Sequence, residues 1–177
     1  MSKAGAAAWV AVFAVLVVLA NLLITDSPAP SDKSQSGAAS SAARTAKVLR
    51  VVDGDTILVR EAGGATERVR YIGVDTPESV KPNTPVQCFA HQASDFNRKL
   101  VQGKTVRLVP DREAEDKYGR SLAFVYVGST FVNAELLEGG YARTIEVPPN
   151  TSKADYFEGL QRVAIRTNKG LWGACPR

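Results

Sequence analysis

Three short runs rich in β-branched and apolar residues, Lys47 to Val52, Thr56 to Arg60 and Glu67 to Val74, follow one another through tight turns at Asp53-Gly54 and Gly63-Gly64. Runs of this composition predict strands. Joined so closely they form a meander, which must bury one of its faces. The chain supplies the cover downstream. From Val86 to Val101 the period becomes helical, with Phe89, Ala93, Phe96 and Leu100 along one face, and Gly103 ends the helix. Thr105 to Val109 and Leu122 to Val127 predict two more strands, separated by the charged segment from Asp111 to Arg120. Asn133 is expected to cap a short helix, Ala134 to Glu138, that Gly139-Gly140 stops. A last helix is expected from Ser152, where Ser152-x-x-Asp155 spells a capping box, with Tyr156, Leu160, Val163 and Ala164 directed inward and Gly170 at its end. Three strands, a helix, two strands and terminal helices predict an α+β, mainly β class: a small closed β-barrel with about three capping helices, for which the five-stranded OB-fold barrel is the commonest ligand-binding analogue.

Ahead of this barrel, Ala6 to Ile24 is an apolar run broken only by Asn21, and an N-terminal apolar helix is expected there. A helix of this length nearly crosses a hydrocarbon core. A buried core helix is one alternative; the two leading readings are an uncleaved signal anchor, favoured because no Ala-x-Ala site follows Ile24, and a cleaved signal peptide. With no cysteine at its end, a lipoprotein is excluded. Either leading reading puts the domain outside the cytoplasm, anchored in the membrane by the helix or secreted. Asp26 to Arg44 is rich in Ser, Ala and Pro and has no periodicity, as a flexible linker does. The expected organisation is therefore residues 1–25 as leader, 26–45 as linker and 46–177 as one domain. From Ala46 onward, 19 lysines and arginines face 16 carboxylates, a balance that permits anion binding without demonstrating it.

Cys88 and Cys175 are the two cysteines. An exported domain keeps a disulfide that the cytosol would reduce, and a bridge would also secure a C-terminal tail that otherwise frays. The alternative is two unrelated buried thiols.

Three polar clusters interrupt the apolar runs: Asp53-Gly-Asp55-Thr56, Arg70-Tyr-Ile-Gly-Val-Asp75-Thr76-Pro-Glu78, and Asp116-Lys117-Tyr118-Gly-Arg120. Each has a structural reading. Asp-Gly is a hairpin turn signal, Asp75-Thr-Pro can cap a turn, and Gly119 suits a turn with positive φ. Their joint occurrence at strand ends of one small barrel points instead to chemistry. Clustered carboxylates suit a hard cation, and two arginines suit phosphate oxygens. The one histidine, His91, is expected on the exposed side of a helix, which leaves base chemistry to a carboxylate. In a straight strand Arg70 and Asp75 would face opposite ways, so a ladder disturbed at Gly73 is expected.

These motifs, in this order, resemble the staphylococcal nuclease (thermonuclease) family, with the likeness running from Val48 to about Trp172 and including Val132-Asn133 and Gly140-Tyr141-Ala142. The resemblance implies a monomeric, Ca²⁺-dependent endo- and exonucleolytic phosphodiesterase on an OB-fold, acting on DNA and RNA to leave 3′-phosphate and 5′-hydroxyl ends. It implies Asp55 and Asp75 as calcium carboxylates, Thr76 as a calcium ligand through its carbonyl, Glu78 beside the attacking water, and Arg70 and Arg120 on the scissile phosphate. Lys117, Tyr118 and Tyr141 are the expected substrate contacts. After Ala142 the chain departs from the family: Arg143-Thr-Ile-Glu146-Val-Pro148 holds no aromatic residue for base stacking. A nucleic-acid binding module on the same barrel, weak in catalysis, is the alternative reading.

Overall fold

The computed structural model describes residues 42–79 and 85–176. The expected N-terminal helix and most of the linker lie outside them. Among the described residues, no helix is long and apolar enough to cross a membrane.

Strand β1 (Arg44–Asp53) starts inside the segment expected as linker. The reason is Arg44, whose guanidinium holds Glu61 at 2.9 Å and Glu67 at 2.6 Å, tying the chain to the barrel wall. β1 pairs with β5 (Thr105–Val109) through its first residues and with β2 (Thr56–Glu61) through the rest. Register shifts after Val48 and Val51 bend it between the two neighbours. β2 continues antiparallel to β3 (Thr66–Tyr71), and β5 to β6 (Ser121–Val127). A parallel pairing of β3 with β6 closes the five strands into a barrel. The expected OB-fold barrel is therefore present. Its interior is Val48, Ile57, Val59, Val69, Val106, Leu108 and Val125, all essentially inaccessible to solvent. Each such side chain contributes about 1.5–3 kcal/mol of burial free energy.

β4 (Val74–Asp75) leaves the barrel after Tyr71 and pairs with β8 (Arg143–Thr144); β7 (Thr130–Phe131) turns back to pair antiparallel with the end of β6. Helix α1 (Ala90–Val101) begins four residues later than its apolar period suggests. Phe89 sits at φ 71, and Gln87 has already given its N–H to the Glu78 carbonyl at 3.0 Å, so the stretch before Ala90 is committed elsewhere. His91 is exposed.

Helix α2 (Val132–Glu138) includes Asn133 instead of being capped by it. The Asn133 side chain is fully buried: its Oδ1 accepts the Val125 N–H at 2.9 Å and its Nδ2 donates to the Ile72 carbonyl at 2.8 Å. Helix α3 (Ala154–Arg166) lacks the expected capping box, since its cap residue Lys153 makes no side-chain bond to the helix end. Its inward face is also rotated from the expected one. Phe157 and Ala164 are buried, Leu160 is partly buried, and Tyr156 and Val163 are exposed. Phe157 decides the phase, because its ring rests on Gly73, where a Cβ would fall 2.4 Å from Phe157 Cε2. The chain then turns into α4 (Leu171–Ala174), and Cys88 and Cys175 form a disulfide.

Candidate active site

The polar clusters meet at one rim of the barrel because of how β3 ends. Ile72 and Gly73 leave the ladder, Gly73 at φ 77, and the chain returns as β4. This break removes the alternation that would separate Arg70 from Asp75. The Arg70 guanidinium bridges two carboxylates, donating Nη1 to Asp55 Oδ1 at 2.6 Å and Nη2 to Asp75 Oδ1 at 2.9 Å, with a further bond to the Val74 carbonyl at 3.2 Å.

Asp55 is 1 % exposed, whereas the Asp75 side chain is 51 % exposed. Oδ2 of Asp55 accepts the Thr76 N–H at 2.8 Å and the Thr76 hydroxyl at 2.9 Å, and Oδ1 also accepts the Thr56 hydroxyl at 3.2 Å. Burial nonetheless pushes the Asp55 carboxyl above its ordinary range; Arg70 and Thr76 oppose the rise, and nearby Asp53 adds to it.

Asp53, expected mainly as a turn residue, is a buried member of the same cluster. Its Oδ1 accepts from Gly54 N–H at 2.7 Å, Ser79 Oγ at 2.8 Å and Ser94 Oγ at 3.4 Å. Burial raises its carboxyl, the Ser79 and Gly54 bonds oppose this, and a hydrogen-bonded Glu78 carboxyl raises it further. Glu78 is thereby packed beside Asp53. Its backbone is clamped by Gln87, whose Oε1 accepts the Glu78 N–H at 2.9 Å and whose own N–H returns to the Glu78 carbonyl at 3.0 Å. No pattern in the sequence marked Gln87, because its work is done by an amide on a segment that only the fold brings back to Glu78.

Arg120 comes from the turn just before β6. The parallel register sets Arg70 opposite Leu122, two residues after Arg120, and both arginines line one cavity. Asp116 holds Arg120 through Nε and Nη2 at 2.7 Å. It also accepts the backbone N–H of Tyr118 at 2.9 Å and of Arg120 at 3.0 Å, tightening a turn in which Gly119 has φ 72. Burial alone would raise the Asp116 carboxyl, but the Arg120 and Tyr118 bonds outweigh it and hold the group below the usual carboxylate range.

An open cavity of about 510 Å³ lies against both arginines, lined also by Lys117, Tyr118, Ile145 and Val147. Tyr118 is 72 % exposed there, and Arg120 Cζ lies 5.5 Å from its ring centroid. Tyr141 is not brought to this cavity: its ring stacks on Phe96 at 4.0 Å, away from both arginines' lining residues. Asp75 and Thr76 border a second, smaller cavity. Among the described residues, no three Asp, Glu, His or Cys side chains converge as a metal cage. What the structure brings together is two carboxylates joined by Arg70, with the Thr76 N–H and hydroxyl bonded to Asp55.

The model of the family described as Staphylococcal nuclease homologue matches residues 68–174. A thermonuclease of Staphylococcus hyicus is 39 % identical over 161 residues, covering 91 % of this chain and 93 % of that protein. A thermonuclease of Staphylococcus intermedius is 47 % identical over 125 residues, 71 % of this chain and 74 % of the relative. Endonuclease YncB of Bacillus subtilis is 42 % identical over 125 residues, which are 70 % of this chain and 59 % of that enzyme.

Proposed function

Because the chain belongs to the staphylococcal nuclease family, we propose that it is a calcium-dependent phosphodiesterase that hydrolyses DNA and RNA outside the cytoplasm, leaving 3′-phosphate and 5′-hydroxyl ends. One observation supports this reading most: a single guanidinium, Arg70, joins the buried Asp55 and the exposed Asp75 at the edge of a cavity that also receives Arg120. A turn needs no such arrangement.

The donor set suits calcium. Asp55, Asp75 and the Thr76 carbonyl would hold the ion, and the few protein oxygens leave coordination positions for water and phosphate. The Asp75 carboxylate, 51 % exposed, stands open to solvent on the other side of Arg70 from the buried Asp55. When bound, Ca²⁺ polarises the phosphoryl group and neutralises charge on its oxygens.

The chain's own residues do the rest. Arg70 and Arg120 grip the non-bridging oxygens, and each fork is preorganised by a carboxylate, so the donors need no reorganisation as charge develops. Lys117 and Tyr118 extend the contact along the substrate. Glu78, held by Gln87 through both its backbone N–H and its carbonyl, is the carboxylate assigned to the attacking water. With Ile145 and Val147 as walls and Tyr118 as the aromatic surface, stacking is limited, and weak base preference follows. Export is supported by the Cys88–Cys175 bridge, which suits an oxidising compartment, and by the apolar run at the N-terminus.

Cleavage of plasmid DNA in Ca²⁺, in Mg²⁺ and in chelator tests the reading. Turnover is expected in Ca²⁺ and lost with chelator, and Mg²⁺ should support little because it tolerates distorted coordination poorly. Comparable turnover in Mg²⁺ alone would overturn the metal assignment. DNA binding without cleavage in any metal would favour a binding module.

A further inference from the structure

The carboxylate cluster borders two cavities. Arg70 lines the larger one, and its Nη2 lies 2.9 Å from Asp75, which lines the smaller. The two cavities therefore abut on the Arg70–Asp75 ion pair. The smaller, of about 240 Å³, is walled by Asp75, Thr76 and Pro77, by Gln87 with the Cys88–Cys175 bridge, and by Arg143. Its walls are firm, since Gln87 is doubly bonded to Glu78 and the disulfide fixes the next residue.

Arg143 stands directly across the β4–β8 ladder from Asp75, where side chains share one face. It nevertheless makes no ion pair among the described residues. Instead its guanidinium lies 4.5 Å over the Trp172 ring. Stacking engages the flat face and leaves the N–H donors at the edge for a planar, bidentate partner such as phosphate. The side chain is exposed toward solvent.

A phosphodiester inside a strand has a nucleotide on each side, and the 510 Å³ cavity accounts for one. We propose that the smaller cavity is the subsite for the nucleotide on the other side of the scissile bond, with Arg143 gripping the phosphate that flanks it. The substrate this defines is a polynucleotide extending past the cut in both directions. The inference rests on the nuclease reading given above.

The test compares Arg143→Gln and Arg143→Lys with the parent on dithymidylate, which has no flanking phosphate, and on octathymidylate. For the octamer, Arg143→Gln should raise KM about tenfold at unchanged kcat, as expected for one charged phosphate contact. It should also flatten the dependence of log kcat/KM on log salt by about 0.7, the share of one phosphate on a single strand. Arg143→Lys should restore the salt slope but only part of the KM, and dithymidylate should be cut at the parental rate by all three. Parental KM and salt slope for Arg143→Gln on the octamer would overturn the proposal. Equal slowing of both substrates would overturn it too, by showing that Arg143 acts at the reacting centre or in folding. A parent that cuts neither substrate would instead remove the nuclease reading, and this subsite with it.

Discussion

Replacing Arg70 by Gln exposes how much of the site's geometry is also its stability. The arginine neutralises Asp55, whose side chain is 1 % exposed. Removing one partner of a buried pair leaves an uncompensated charge and costs about 3–5 kcal/mol. Three further bonds remain to Asp55, from the Thr76 N–H and hydroxyl and the Thr56 hydroxyl, so the lower end, about 3 kcal/mol, is expected. In a domain of this size that corresponds to a fall in Tm of roughly 10 °C.

The sign of the pH dependence follows from the same geometry. Burial already raises the Asp55 carboxyl with Arg70 in place, and losing the guanidinium raises it further. A carboxyl raised in the folded state disfavours folding where it must ionise, so the deficit of Arg70→Gln should be largest at neutral pH and shrink as the pH falls through the folded value. Calorimetric melts of parent and variant at pH 8 and pH 5 measure this. Adding Asp55→Asn should return stability to Arg70→Gln while leaving activity lost, because the buried charge has gone. An Arg70→Gln protein that melts with the parent at pH 8, or a double variant no more stable than the single one, would refute the buried-pair argument.

Arg120→Lys and Glu78→Gln should each lower cleavage about 10² to 10³-fold with little change in Tm, since one preorganised transition-state contact is lost in each; a fallen Tm with near-parental turnover would contradict these roles. Thiol labelling of the unreduced protein should find no reactive cysteine, and Cys88→Ser with Cys175→Ser should cost about 4–5 kcal/mol on the chain-entropy model for bridged residues 87 apart; a chemical denaturation midpoint unchanged by the pair would count against it. Asp116→Asn should lower stability at pH 7, and the deficit should shrink as the pH falls below the ordinary carboxylate range, because a carboxyl held below its ordinary range stabilises the fold above the unfolded value and ceases to as pH falls through the folded one; a Tm gap that does not narrow on acidification would exclude this linkage.

The barrel was legible in the sequence because its strands are short, β-branched and punctuated by Gly and Asp, signals that depend on neighbours in the chain. Asp55 and Asp75 were legible because apolar runs break off beside them, and Arg70 because it opens the run that ends at Asp75. What could not be seen was which polar residues the fold would return to that cluster. Gln87 and Arg143 lie on segments whose neighbours are set by a disulfide and by a two-residue ladder, so local pattern says nothing of them. Helix phase failed at α3 for a related reason. Tyr156 and Phe157 are equally apolar candidates, and the choice between them is made by the bare backbone of Gly73 on another element. Asn133 shows the converse: its residue type suits a helix cap, but the Ile72 carbonyl just past β3 and the Val125 N–H inside β6 claimed its side chain.

Those two observations belong to one device. The Ile72 carbonyl loses its ladder partner where β3 ends, and Asn133 of α2 supplies a donor for it. Gly73 adopts a positive φ there, and Phe157 of α3 covers the space a side chain would have filled. The helices that close the barrel thus also hold the chain in the turn that brings Asp75 back to Arg70. A regular strand through this point would put the two side chains on opposite faces, leaving Asp55 with its arginine but separating Asp75 from both. The packing of α2 and α3 on one irregular corner is therefore part of the site, although neither helix contributes a group to the chemistry.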